Sequence, residues 1–307
     1  MRALTATIAM LAMSACIDAD GPYTEPAIGE IGYSTYTQTR YPIVLVHGLL
    51  GFDDLFGVVR YFDGIPEALE ASGARVFVVT ASQAERPEVR GQQLIPQLEA
   101  ILAETGATRL NLFGHSLGAL DARYVAAVRP DLVASVTSIG GPHRGTPVAA
   151  ALDNPLGGAG LTAIADLIKL VSGSTDPNDG AAALAAMTPA GATAFNAAYP
   201  AGVPSGCGQG EPVVGGIRYY SWGGVGGWTN PLDLGDPLLV AASLLVGEPN
   251  DGLVGRCSTH LGMVIRDDYA QNHLDETNML LGMVGLLGPR PAALYRQQAN
   301  RLKLAGL

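Results

Sequence analysis

A serine between glycines, in the pentapeptide Gly-His-Ser-Leu-Gly at positions 114–118, places the strongest constraint on how this chain folds. Residues 109–113 before it resemble a short buried strand, and residues 119–128 have the Ala, Leu, Arg and Tyr content of a helix. A sharp strand-to-helix turn requires glycines beside the serine, because a Cβ there would crowd both the strand and the helix. The turn places the serine hydroxyl outside the packed sheet. The pattern predicts that Ser116 is a nucleophile; the alternative is a helix N-cap serine after a glycine-rich turn.

Apolar segments recur along the chain with helix-like segments between them, which predicts an α/β fold with a mostly parallel central sheet and helices on both faces. The predicted strands are 41–46, 75–80, 133–139 and 261–266, and the predicted helices include 65–72 and 89–104. Residues 148–194 are rich in Ala, Gly and Leu, and predict a helical cap inserted into a single domain spanning 34–307. A flexible linker is the alternative for that insertion.

Composition excludes several kinds of partner. The chain has 307 residues, 48% hydrophobic and 15% charged, with a net charge of −10. No basic cluster occurs, so neither nucleic acid nor an anionic membrane is favoured electrostatically. We therefore expect a globular enzyme with a neutral or apolar partner.

The N-terminus has the features of a targeting segment at 1–16: an early Arg2, a short apolar stretch, and small residues before Cys16. Residues 17–33 then form a predicted polar tether. Cys16 occupies the position of an acylated cysteine in a bacterial lipoprotein signal; ordinary cleavage nearby is the alternative. We expect a secreted protein, or one anchored to the bacterial outer membrane if Cys16 is lipidated.

In hydrolases with a serine at such a strand-to-helix turn, the other two catalytic residues follow along the chain, first an Asp or Glu and then a His. His47 and His115 precede Ser116, and we expect them to shape main chain near the oxyanion. His143 follows the end of a predicted strand, but no Asp-Gly turn that could supply the acid lies between Ser116 and His143. His260 comes directly before the last predicted strand, whereas His273 follows that strand in a loop, so His273 is the predicted base.

Two copies of Asn-Asp-Gly compete to supply the acid. Asp251 is preferred because it lies between Ser116 and His273, on a tight turn that directs its carboxylate. Asp179 lies in a loop rich in Ser, Pro and Gly. Weaker alternatives are Asp153, Asp233 and Asp236.

The oxyanion hole is expected from two main-chain N–H groups. One belongs to Leu117, the residue after the nucleophile. The other belongs to Leu49, in the His-Gly-Leu-Leu-Gly loop after the first long strand.

Five stretches together resemble a known family, the calcium-dependent true lipases of the Pseudomonas and Burkholderia type, which are bacterial triacylglycerol lipases. They are residues 41–53, 114–118, 124–130, 250–276 and 295–307, and the likeness covers about 34–307. The resemblance implies an α/β-hydrolase fold with Ser116, Asp251 and His273 as the triad. It implies hydrolysis of water-insoluble acylglycerols at a lipid–water interface. The alternatives are an esterase for soluble short-chain esters or polyesters, and a noncatalytic surface-binding protein.

The resemblance implies further sites. One structural calcium ion would bind near His273, through the carboxylates of Asp233 and Asp275 and the main-chain carbonyls of Met279 and Met283. Cys207 and Cys257 would form a disulfide, and paired cysteines are common in exported chains. Many such lipases also need a dedicated membrane-bound foldase.

Residues 161–171 have apolar side chains at helical spacing on one face, which is typical of an amphipathic helix. An ordinary surface helix is one interpretation. The position in the predicted cap, with the family resemblance, favours a lid that covers Ser116 in water and opens on lipid.

Overall fold

The computed structural model of the chain describes residues 34–51, 60–159, 162, 176–233, 235–279, 284–285 and 288–307, with the main chain of 54–55 and 59. Within it, Ser34–Leu307 forms one compact unit. The predicted signal segment, Cys16 and the tether lie outside the described residues. So do Met283 and, apart from Thr162, the predicted lid helix at 161–171.

Among the described residues, seven strands form a central sheet: β1 Ile43–Val46, β4 Val76–Val79, β5 Leu110–His115, β6 Val133–Ile139, β7 Val213–Val214, β8 Ile217–Gly224 and β9 Met263–Tyr269. Their order is β4-β1-β5-β6-β8-β7, with β9 also paired to β8. All pairings in this sheet are parallel except that of β7 with β8. A separate antiparallel ribbon is formed by β2 Asp54–Leu55 and β3 Val59–Arg60.

Helices cover both faces of this sheet. They are α1 Ile65–Glu70, α2 Pro87–Thr105, α3 Leu117–Val128, α4 Pro147–Leu152, α5 Gly180–Met187, α6 Pro189–Ala198, α7 Asp236–Ser243 and α8 Pro291–Leu304. Short 3₁₀ turns occur at Arg256–Thr259 and Asp275–Thr277.

Strand β1 shows how the two faces are built, because successive side chains of a strand point in opposite directions. Val44 and Val46 pack in one buried cluster with residues of α2 and α3. Ile43 and Leu45 pack in a second cluster with residues of α1 and α8. β1 is fully buried, as expected for a parallel strand covered on both sides. The predicted α/β architecture is confirmed.

The predicted elements differ from the observed ones at several places. Strand β8 was not predicted, although it pairs with β6 and β9 near the middle of the sheet. Strand β9 extends to Tyr269, into residues predicted as a loop. In the predicted cap at 148–194, the described helices include α4, α5 and α6, and α6 continues to Ala198.

Candidate active site

Ser116 lies at the sharp turn between β5 and α3, with φ 56° and ψ −126°. This φ is in the left-handed region that side chains with a Cβ rarely adopt. The flanking glycines allow the turn: a Cβ on Gly114 would lie 2.3 Å from the carbonyl oxygen of Gly118, and one on Gly118 would lie 2.4 Å from that of Val46. Neither position can accept a larger residue without moving main chain.

Three predicted residues lie in one hydrogen-bonded line at the carboxyl end of the sheet. Ser116 Oγ is 2.8 Å from His273 Nε2, and His273 Nδ1 is 2.7 Å from Asp251 Oδ2. All three side chains are buried. With a proton on Nδ1, the imidazole donates to Asp251 and accepts from the serine hydroxyl, which is the arrangement required for base-assisted attack by serine.

The Asn-Asp-Gly turn fixes the Asp251 carboxylate. Its Oδ1 accepts the N–H groups of Leu253 and Val254 at 2.9 and 2.7 Å, so Oδ2 is directed to the imidazole. Gly252 adopts φ 104°, and the His273 N–H donates to the Asp251 carbonyl at 2.8 Å. The second copy of the tripeptide has a different environment: Asp179 is the N-cap of α5 and accepts the Ala182 N–H at 2.9 Å.

The other downstream histidines have structural partners. His143 Nε2 lies 2.7 Å from Ser138 Oγ, and its Nδ1 lies 3.1 Å from the guanidinium of Arg123. Burial, then the charge of Arg123, lowers the pKa of His143 well below its usual value. His260 Nε2 pairs with Asp267 at 2.9 Å, next to the disulfide loop.

The ring of His115 lies against that of His273, with the two centroids 4.6 Å apart. Its Nδ1 is 2.6 Å from the Tyr61 hydroxyl, and its Nε2 faces Glu276 Oε2 at 3.3 Å. Glu276 is buried and also accepts the Gly224 N–H at 2.7 Å. Burial, followed by the charge of Asp251, raises the pKa of Glu276 well above its usual value. Tyr61 and Glu276 were not predicted from the sequence.

Among the described residues, His115, His273 and Glu276 form a group whose nitrogen and carboxylate atoms lie within 4.8 Å of one another and could hold a metal ion. Both ring nitrogens of His273 already lie within hydrogen-bond distance of other side chains, Asp251 and Ser116, so a cation bound there would displace one of these two partners.

The loop after β1 approaches the serine closely. A Cβ on Gly48 would lie 2.7 Å from Ser116 Cβ, so only glycine fits. Leu117 begins α3, where the first N–H groups of a helix have no partner within the helix. Within the described part of the chain, the N–H groups of Leu49 and Leu117 donate to no acceptor. Both are therefore available to a developing oxyanion.

A buried ion pair links the two sides of this predicted oxyanion hole. Arg90 on α2 donates from Nε to Asp121 Oδ2 at 2.8 Å, and both side chains are fully buried. Arg90 Nη2 donates to the His47 carbonyl at 2.7 Å, and Nη1 donates to the Ser82 carbonyl. Asp121 belongs to α3, which starts at Leu117, whereas His47 lies two residues before Leu49. The pair thus connects the two segments that carry the predicted donors Leu49 and Leu117.

Three buried carboxylates lie near the loop that carries His273. Asp236 accepts the N–H groups of Thr229 and Asn230 at 2.7 and 2.8 Å, and Asp233 accepts that of Gly235 at 2.6 Å. Burial raises the pKa of Asp275 to about 6, and the charges of Asp236 and Asp233 act in the same direction. A buried cluster of carboxylates is the oxygen-rich donor set that a hard divalent cation prefers.

A disulfide joins Cys207 to Cys257 across 50 positions of sequence. Cys257 lies in the 3₁₀ turn that follows the Asp251 loop, and its N–H donates to Glu248 at 3.2 Å. The bridge therefore ties the segment that follows Asp251 to a distant part of the chain. Within the parts of the chain that the structure describes, none of the helices has the length and hydropathy of a membrane-spanning segment.

Comparison with known proteins gives consistent matches. Residues 41–158 match a family described as the alpha/beta hydrolase fold. The chain is 54% identical over 285 residues to a triacylglycerol lipase of Vibrio cholerae, covering 89% of this chain and 90% of that one. It is 40% identical to a triacylglycerol lipase of Burkholderia plantarii, with 90% of each chain covered. A metagenomic carboxyl esterase of known structure has the same fold, with a TM-score of 0.62 at 22% identity over 93% of this chain and 80% of the esterase.

Proposed function

This chain belongs to the bacterial triacylglycerol lipases of the alpha/beta hydrolase fold, and we propose that it hydrolyses the ester bonds of water-insoluble acylglycerols through an acyl-enzyme on Ser116. The observation that carries the proposal is the line of hydrogen bonds from Ser116 Oγ through His273 to Asp251, at 2.8 and 2.7 Å.

In the first half of the reaction, Ser116 Oγ attacks the ester carbonyl carbon while His273 Nε2 takes the hydroxyl proton. The carbonyl oxygen becomes an oxyanion and accepts the N–H groups of Leu49 and Leu117. When the C–O bond to glycerol breaks, the leaving alkoxide takes the proton from Nε2. The fatty acyl group is then an ester of Ser116.

In the second half, a water molecule attacks the acyl carbon as His273 takes its proton. The bond to Ser116 Oγ breaks, Oγ regains a proton from Nε2, and the fatty acid leaves. Asp251 accepts from Nδ1 throughout, which holds the imidazole in the required tautomer and stabilises its cation. The contact of His115 with the His273 ring further limits rotation of the base.

The three buried carboxylates of Asp233, Asp236 and Asp275 support one calcium ion as a structural cofactor. The ligands would be the carboxylates of Asp233 and Asp275 with the main-chain carbonyls of Met279 and Met283; Met283 lies outside the described residues. The buried carboxylates fit the group: burial, with the charges of Asp236 and Asp233 adding to it, raises the pKa of Asp275, and a bound cation would favour its ionised form. When bound, the ion would cross-link the segment before α7 to the segment after His273.

The N-terminal segment at 1–16 supports export, with Cys16 as the site of lipid attachment if the protein is anchored to the outer membrane. Labelling with a radioactive fatty acid, in wild type and Cys16→Ser, separates an anchored from a freely secreted protein.

The family resemblance supports a membrane-bound foldase as a folding partner. Recovery of active enzyme from the denatured chain without any partner would contradict the need for a foldase.

The substrate class is tested by comparing a triolein emulsion with a dissolved short-chain p-nitrophenyl ester, using wild type and Ser116→Ala. We expect wild type to hydrolyse both substrates and Ser116→Ala to hydrolyse neither. Hydrolysis of the dissolved ester alone would indicate an esterase. Binding to the emulsion without hydrolysis of either substrate would indicate a noncatalytic binding protein.

A further inference from the structure

Helix α7 and the turn after it expose an apolar surface. Leu238, Leu244 and Leu245 are 73%, 84% and 51% exposed. After the buried Asp236, no charged residue occurs until Glu248. A surface helix normally has a polar outer face, and clustered exposed leucines mark sites that meet another apolar phase.

The inner side of α7 is fixed to both loops that carry the base and the acid. Leu239 is buried against the Asp251 turn: a Cβ on Gly252 would lie 2.7 Å from Leu239 Cβ. At the start of the helix, Asp236 Oδ1 accepts the side-chain amide of Asn272 at 2.6 Å, and Asn272 directly precedes His273. The exposed leucines are therefore held next to the reacting groups by short-range contacts.

Two more apolar side chains extend the surface. Trp228, 58% exposed, follows Gly227, where a Cβ would lie 3.7 Å from side-chain atoms of Val240 and Ser243 on α7. Leu232 is 75% exposed and lies two residues after Asn230, whose N–H donates to Asp236 at the start of α7 at 2.8 Å. We call Trp228, Leu232, Leu238, Leu244 and Leu245 the α7 surface. Tryptophan suits a boundary between water and an apolar phase, because its ring is apolar and its N–H remains hydrated.

Building on the proposed function, we propose that the α7 surface docks the enzyme on neutral lipid, inserting its leucines and Trp228 into the acylglycerol phase beside the active site. Charge identifies this partner. The chain carries a net charge of −10, yet this surface carries none, so it complements neither an anionic membrane nor a charged protein. An uncharged acylglycerol phase matches it, and such a surface gains affinity from buried apolar area alone.

The chain offers a direct optical probe of insertion. Its two tryptophans differ in environment: Trp222 is 2% exposed inside the sheet, whereas Trp228 is 58% exposed on the α7 surface. In the Ser116→Ala background, adding a triolein emulsion should shift the emission to shorter wavelength, and brominated triacylglycerol should quench it. The same experiment with Trp228→Phe should show almost no change.

The decisive variant replaces three leucines with serine: Leu238→Ser/Leu244→Ser/Leu245→Ser. Its affinity for the triolein emulsion should fall at least tenfold, while kcat/KM on a dissolved short-chain ester stays within twofold of wild type. The matched control is Leu304→Ser, which changes a leucine that is 79% exposed at the end of α8. It should alter neither quantity.

Several outcomes would overturn the proposal. Unchanged emulsion affinity in the triple variant would show that the α7 surface does not meet lipid. A shift from dimer to monomer in light scattering, with emulsion affinity per monomer unchanged, would assign the surface to a second copy. A fall only in the yield of active protein would assign it to a folding partner. The two hypotheses fail differently. If the α7 surface does not dock on lipid, wild type still hydrolyses esters. If the proposed hydrolysis is wrong, the emission of Trp228 still reports insertion, but no ester is cleaved.

Discussion

The buried pair of Arg90 and Asp121 predicts a loss of activity from a change that touches no substrate. In Arg90→Met, Asp121 loses its partner Arg90, and the carbonyls of His47 and Ser82 lose the hydrogen bonds that Arg90 donates. Removing one partner of a fully buried pair destabilises a protein by about 3–5 kcal/mol. We expect a loss of that size in the free energy of unfolding measured with urea.

The effect on turnover follows from geometry. Without Arg90, the loop that carries Leu49 is released from α3, so one oxyanion donor is misplaced. Losing a donor outright costs roughly 10²–10³ in kcat, so partial misplacement should cost roughly 10–100-fold. The assay is kcat on a dissolved short-chain ester, which excludes any effect at the lipid surface.

A double variant separates positioning from stability. Arg90→Met/Asp121→Leu removes both charges, and replacing a buried pair with apolar residues is often neutral, so most of the lost stability should return. The kcat should remain low because the His47 carbonyl still lacks its donor. Arg129→Met is the control, because its ion pairs with Glu99 and Asp131 are exposed. Normal kcat in Arg90→Met, despite lower stability, would refute the positioning role.

Three further predictions concern stability. Chelation with EDTA should lower the melting temperature and calcium should restore it, because calcium at a hundredfold excess over Kd adds about 2.7 kcal/mol to the free energy of unfolding. Asp275→Ala should lose this response and the exposed Asp268→Ala should keep it. A wild-type melting temperature that EDTA does not change would exclude the ion. Reduction of the Cys207–Cys257 bridge, which spans 50 positions, should cost about 4 kcal/mol in the chain-entropy model, and a melting temperature unchanged by reductant would contradict this. Burial, with the charge of Arg90, lowers the pKa of His47 from 6.5 to about 3, so only the unfolded chain takes up this proton as the pH falls below 6.5. As the pH falls, this group should therefore lower the free energy of unfolding by up to about 1.4 kcal/mol per pH unit. Measured by urea unfolding between pH 7 and 5, the free energy of unfolding should depend less on pH in His47→Gln than in wild type. Equal pH dependence in the two proteins would refute this role of His47.

Local sequence was sufficient where the chain itself determines the geometry. The glycines around Ser116 and the Asn-Asp-Gly turn at Asp251 constrain main chain within a few residues, so their turns could be predicted. The α/β fold and the family are confirmed. The catalytic roles of Ser116, Asp251 and His273 stay predictions, although the structure brings the three side chains into contact.

What was missed depends on contacts between distant segments. Strand β8 ends in two glycines, and its strand state comes from pairing with β6 and β9 rather than from a clear alternating pattern. Arg90 and Asp121 lie on different helices, and a sequence pattern suggests no pairing between them. Glu276 follows a predicted calcium ligand, yet its side chain faces His115, which only the folded arrangement of β5 and the base-bearing loop reveals.

The most direct test of the proposed mechanism is the kcat of Ser116→Ala, His273→Ala and the double variant on one dissolved ester, with Asp179→Ala as the control. Residues that act as one unit lose activity together. Each single variant should therefore lose roughly 10⁴-fold or more, the double variant should be little worse than either, and Asp179→Ala should keep its turnover. Nearly multiplicative losses in the double variant, or near-normal turnover in either single variant, would contradict the assignment of Ser116 and His273 as nucleophile and base.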